Sequence, residues 1–214
     1  MIKYNSVREI TDLKDMLYQS ERMYKDNIAF KLKKNSERVN ITYKEFAKEV
    51  NSLGTKLISL GLKNKKIAII SENRYEWCVA YLATVCGTGI VVPLDKLLTK
   101  TEIENLIIRS EVECIFYSNK YAEIIEEIRK KEGTKLKIYV SMDNEKNSEN
   151  VYSEMELIKE GEKLLENGNT EFLNAKINKD EMNFMLFTSG TTNASKAVML
   201  SHTNIASNIM GMDR

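Results

Sequence analysis

Between residues 66 and 141 the chain alternates short apolar runs with longer segments of helical period, and this alternation excludes most folds. "KIAIIS" is apolar at consecutive positions, as a strand covered on both faces must be. "NRYEWCVAYLATVCG" follows with the length and pattern of a buried helix ending at Gly87, and "GIVVPLD" repeats the strand signal, with Pro93 at a position suited to a strand end. Thr101 and Glu104 are spaced as a capping box opening "TEIENLIIRSE", after which come the strand "ECIFYS", the helix "YAEIIEEIRKK" and the strand "LKIYVS". Strand, helix, strand, helix is the order of an α/β protein, and it predicts a parallel-rich sheet flanked by helices.

The flanks extend the same plan. Val7, Ile10, Leu13, Leu17 and Met23 recur at helical intervals over 6–24, and Ile28 to Lys33 with Arg38 to Tyr43 form a hairpin around "KNSE". Thr42 and Glu45 make a capping box for a helix whose apolar stripe is Phe46, Val50, Leu53, Leu57 and Leu60, and Gly61 stands where it should stop. "MDNEKNSEN" is a surface loop, 152–166 an amphipathic helix broken by "LENGNT", and "MNFMLF" and "KAVMLS" two further strands. A last helix starts at Ser201 or Thr203 and has only begun when the sequence stops. The expected organisation is an N-terminal helix and hairpin over 1–43 and a sheet subdomain over 44–214, together the N-terminal portion of a longer protein whose C-terminal domain is absent.

Charge and cysteine content narrow the function. Lys plus Arg (32) nearly balances Asp plus Glu (31), so no general attraction to nucleic acid or an anionic membrane is expected, and a small molecule is the expected partner. Cys78, Cys86 and Cys114 lie in apolar runs without metal-like spacing and read as reduced, buried thiols. The N-terminus lacks the apolar stretch of a signal peptide and no segment reaches membrane-spanning length, which points to the cytoplasm. Oligomeric state leaves no signal.

The chemistry concentrates at "FTSGTTNASKAVMLSH" (187–202), where five hydroxyl side chains and one glycine occupy residues 188–195 and a lysine follows. Lying between two strands, the run is a loop at one end of the sheet, where α/β proteins hold ligands. Hydroxyls and backbone N–H groups can surround phosphate oxygens, Gly190 permits close backbone approach, and Lys196 adds positive charge. A solvated Ser/Thr-rich turn has the same composition. No glycine precedes Lys196 and Ala197 follows it, so the spacing is not that of a P-loop. His202, the only histidine, could line a pocket or serve in capping or packing, and the latter is favoured because no carboxylate or cysteine partner stands near it in sequence. Tyr75, Trp77 and Tyr81 at helical spacing read as core rather than as a cofactor box.

"TSGTTNASKAVMLSHTN" resembles the phosphate-binding signature of the adenylate-forming enzymes, TSGTTGxPKGV followed by a Ser/Thr-His pair. The matches are Thr188, Ser189, Gly190, Thr191, Thr192, Lys196, Val198, Ser201 and His202, and the departures are Asn193, Ser195 and Ala197. "SENRYEW" and "VMLSH" are most similar to long-chain fatty-acid CoA ligases. The resemblance implies that ATP and a carboxylic acid, a fatty acid by the wording of the motifs, give an acyl-adenylate and pyrophosphate, with Mg²⁺ assisting, and that coenzyme A then takes the acyl group. It implies that Thr188, Ser189, Gly190, Thr191, Thr192 and Lys196 handle the β- and γ-phosphates, and that the catalytic residues lie beyond 214. No catalytic or metal-binding residue is therefore assigned, and the 214 residues alone are expected to be inactive. Two other readings stay open: an adenylation domain of peptide-synthetase type loading a carrier protein, and a non-catalytic relative altered at the three departures.

Overall fold

The structure is a computed structural model that describes residues 8–34, 37–188 and 195–212. It opens with α1 (Leu13–Tyr24), the hairpin strands β1 (Ile28–Lys34) and β2 (Glu37–Thr42), and α2 (Tyr43–Ser59). Then come β3 (Lys66–Ile70), α3 (Tyr75–Ala83), β4 (Ile90–Pro93), α4 (Lys100–Ser110), β5 (Cys114–Tyr117), α5 (Ala122–Arg129), β6 (Ile138–Ser141) and β7 (Tyr152–Ser153). The chain continues through α6 (Glu154–Glu166), β8 (Met182–Thr188), β9 (Lys196–Ser201) and α7 (His202–Met212). Strands β3 to β9 form a seven-stranded sheet in the order β7-β6-β5-β3-β4-β8-β9, and β1-β2 is a separate antiparallel pair. Every neighbouring pair in the large sheet is parallel except β8-β9, so the expected α/β fold with a parallel-rich sheet is what forms.

The continuous apolar runs have a direct cause. Successive side chains of a strand point to opposite faces, and in β3 Ile67 and Ile69 enter one core while Ala68 and Ile70 enter the other. Cys114 and Phe116 of β5 divide from Ile115 and Tyr117 in the same way. The first core is covered by α1, α2, α3 and α6, the second by α4 and α5. Cys86 and Cys114 are buried, Cys78 is half-buried, and all three are free thiols.

Local chemistry sets the helix ends. The Thr42 and Glu45 box opens α2 as its spacing predicts, and Gly61 takes φ 81° beyond its end, a left-handed turn that glycine adopts without steric cost. For α4 the box is Thr99 with Glu102, not Thr101 with Glu104. Both pairs have the same spacing, and the earlier one wins because it adds helical hydrogen bonds, beginning with Ile103 N–H to the Thr99 carbonyl, while keeping Ile103, Leu106 and Ile107 in the core. Glu104 instead accepts from Lys131 at 2.6 Å.

Three further expectations shift. Regular α3 ends at Ala83, short of Gly87, and a wider turn over Thr84–Thr88 follows because Thr88 Oγ donates to the Ala83 carbonyl and Gly89 N–H to that of Thr84. Helix α1 begins at Leu13, where Asp12 caps Asp15 N–H at 2.8 Å, so Ile10 is buried ahead of the helix rather than in it. Tyr152 belongs to β7 and not to α6, which starts after Ser153 caps it.

Candidate functional site

The hydroxyl-rich segment sits between β8 and β9. Phe184 is fully buried and pairs β8 to β4 opposite Val91, so β8 runs with the parallel strands and delivers Thr188 at their carboxyl end. The chain then reverses, and Lys196 returns directly opposite Thr188 as the first residue of β9. Both side chains are exposed, and among the described residues Lys196 forms no ion pair. Ser189, Gly190, Thr191, Thr192 and Asn193 lie outside the described residues. Ala197 pairs with Phe187 within the ladder, so its methyl group occupies an ordinary strand position.

A residue without a sequence signal braces this turn. Arg109, at the end of α4, donates from Nη2 to the Ser195 carbonyl at 2.8 Å, and its guanidinium lies 5.8 Å from the centre of the Phe187 ring. One cation therefore holds both strands at the foot of the segment. In sequence Arg109 resembles any basic residue in a last helical turn.

His202 is a scaffold residue. Its ring is fully buried and packs edge-on against Phe184 at 5.0 Å. Nδ1 accepts from Leu13 N–H at 3.2 Å, and Nε2 lies 3.1 Å from the Val85 carbonyl. The Leu13 contact requires a lone pair on Nδ1 and the carbonyl a proton on Nε2, which together define a neutral tautomer. Burial pushes its pKa down, against the opposing pull of Asp12 and the Val85 contact. The cap of α7 is Ser201, whose hydroxyl accepts from Asn204 N–H while Asn204 Oδ1 accepts from Ser201 N–H.

The other aromatic expectation holds with one qualification of place. Tyr75 is buried, and Trp77 and Tyr81, stacked at 4.8 Å, are partly buried against the first core. No helix among the described residues is long and apolar enough to cross a membrane.

Residues 17–214 match the family described as AMP-binding enzyme. Among curated proteins, fatty acyl-CoA synthetase A of Dictyostelium discoideum is 32% identical over 80% of this chain and 26% of its own length. Long-chain-fatty-acid–CoA ligase 5 of Rattus norvegicus is 30% identical over 79% of this chain and 26% of its own. The chain thus spans about a quarter of the length of these relatives. Among solved structures, a long-chain-fatty-acid-CoA ligase from Archaeoglobus fulgidus superimposes with a TM-score of 0.77 at 19% identity, covering 99% of this chain and 41% of that one, and shares the fold. With the family matching from Leu17 to the last residue, the chain belongs to the AMP-binding enzyme family.

Proposed function

We propose that these residues form the nucleotide-phosphate-binding part of an ATP-dependent acyl-CoA synthetase that activates a fatty acid as its acyl-adenylate and passes it to coenzyme A. The observation that carries the reading is the pairing of Thr188 with Lys196 at the carboxyl end of β8, in a chain of the AMP-binding enzyme family. Their chemistry fits polyphosphate: the Thr188 hydroxyl can donate to a phosphate oxygen, and the Lys196 ammonium, exposed at the first position of β9, can neutralise charge beside it. Ser189, Gly190, Thr191 and Thr192 complete the proposed set. Arg109 keeps the two strands in register beneath them through Ser195 and Phe187. Mg²⁺, when bound, would spread the charge that develops on phosphate oxygens. Among the described residues no cluster of His, Cys, Asp and Glu is arranged to hold a metal ion, and we assign Mg²⁺ no ligand in this segment. The same reading places a helix and hairpin in 1–43, the sheet subdomain in 44–214, and the protein in the cytoplasm.

The test is fatty-acid-dependent exchange of pyrophosphate into ATP, followed by acyl-CoA formation, with the longest form of the protein that its gene encodes. Lys196→Ala should lower kcat/KM by about 10²–10³, the effect of removing one preorganised charge contact from a developing anion. Absence of ATP binding in that protein would establish the non-catalytic reading, and transfer to a carrier-protein thiol in place of coenzyme A would establish the carrier-loading one. The 214 residues alone are expected to give no turnover.

A further inference from the structure

A cavity with a volume of about 780 Å³ lies away from the β8-β9 pair. Its walls come from β2, α2, α3 and its capping residue Arg74, α6 and the loop after β6, and none of its lining residues belongs to the hydroxyl-rich segment. Seven carboxylates and three cations line it, which makes its interior strongly acidic. The cations are largely engaged. Arg74 donates to Glu76 at 2.9 Å and to Asp143 at 2.8 Å, and Lys48 pairs with Glu162. Glu49 accepts from the Tyr75 hydroxyl at 2.9 Å.

Glu154 is different. The first residue of α6, it is 2% exposed, and neither carboxylate oxygen has a hydrogen-bond partner. The other buried side-chain atom without one, among the described residues, is Ser52 Oγ, and Ser52 lines the same cavity. Among the described residues, every buried side-chain polar atom without a partner therefore belongs to a residue that lines this one cavity. Burial and the neighbouring Glu76 hold the Glu154 carboxyl well above the usual carboxylate range, and the nearby Arg74 does not offset them. A buried acceptor of this kind is costly unless a donor reaches it. Val79, Met142 and Ile158 supply apolar wall beside it, a mixture that suits a ligand with a charged head and a hydrocarbon stem.

We propose that this cavity is a binding site for a small alkylammonium cation, its N–H donors directed to Glu154 and its stem against Val79, Met142 and Ile158. An ammonium has donors and no acceptor, and its charge beside Glu154 favours the ionised carboxylate that burial disfavours, so the carboxyl proton leaves to solvent as the cation binds. The described residues offer no multi-carboxylate cluster spaced for a metal ion, which favours an organic cation. The site is independent of the fatty-acid reading, since its readout is binding and not turnover.

Titration calorimetry of the full chain with n-butylammonium chloride, with n-butanol and MgCl₂ as comparisons, tests the proposal. Saturable one-to-one binding of n-butylammonium is expected, with no binding of the neutral alcohol. Glu154→Gln, which keeps the shape and removes the charge, should weaken binding about tenfold or more. Ser52→Ala should weaken it several-fold and gives a second reading should Glu154→Gln not fold. Glu145→Gln, at the cavity's solvent side, should leave the affinity within about twofold, as a screened charge does. Equal affinity in wild type and both cavity variants, absence of saturable binding, or binding of Mg²⁺ with none of n-butylammonium would each overturn the assignment.

Discussion

At the scale of single residues, the structure separates what lone side chains are for. His202 closes the family signature, yet its two ring nitrogens are both committed inside the scaffold, to Leu13 and to Val85. That it packs is legible from the absence of a sequence partner. Its attachment to α1, 189 positions away, is not, because no local pattern encodes a contact of that separation. Lys14 is a similar case: it reads as a polar helix position, but its ammonium donates to the carbonyls of Phe172, Leu173 and Ala175 at 2.7–3.0 Å. The depressed pKa of His202 has a pH consequence. As pH falls through the ordinary histidine value of 6.5, the unfolded chain takes up a proton that the folded one resists, so stability present above that value declines until the folded pKa is reached. Urea unfolding at pH 7.5 and at about pH 5.5 should show this component in wild type and lose it in His202→Gln. The variant should also be less stable at pH 7.5 by about 2–3 kcal/mol, since Leu13 N–H and the Val85 carbonyl are then imperfectly paired.

Elements were legible where their signals are local. The capping box of α2, the left-handed Gly61 and the buried strands all follow from nearby residues. Where two local signals compete, as Thr99-Glu102 and Thr101-Glu104 do, packing and hydrogen-bond count decide, and neither can be read from spacing. The short β7 has no periodic signal at two residues. The contact between α2 and α6 shows another limit. Gly161 of α6 lies so close to α2 that a Cβ there would sit 1.8 Å from the Ser52 carbonyl oxygen. In sequence that glycine looks like a helix defect, whereas in the fold it lets two helices approach. Gly161→Ala should therefore destabilise the protein although alanine is the better helix former. The expected loss is about 2–3 kcal/mol in denaturant unfolding, set by overpacking rather than by propensity. A neutral or stabilised variant would show that the helices can separate at little cost.

The whole molecule is organised by a sheet that two cores share. The fold class was legible because alternation along the strands and helices is a property of the chain itself. The proposed phosphate role of residues 188–196 rests on a resemblance, their composition being common to solvated loops. The acidic cavity was not legible at all, since Ser52, Arg74, Tyr75, Asp143 and Glu154 come from four separate parts of the chain. Sharing has a thermodynamic consequence. Residues of β3 and β5 alternate between the two cores, so melting either core exposes the sheet that supports the other. His202 and Lys14 add ties from α1 to the chain's last third. The protein should therefore unfold as one unit. Trp77, the only tryptophan, packs against the first core and reports on it by fluorescence, while far-UV circular dichroism reports on all elements. Ile107 is fully buried in the second core, on α4. Ile107→Ala should cost about 2–5 kcal/mol, as truncation of a buried isoleucine does, and should move the Trp77 transition by the same amount as the circular-dichroism transition. A Trp77 midpoint that stays in place while circular dichroism shows an earlier loss of structure would mean that the faces of the sheet melt separately.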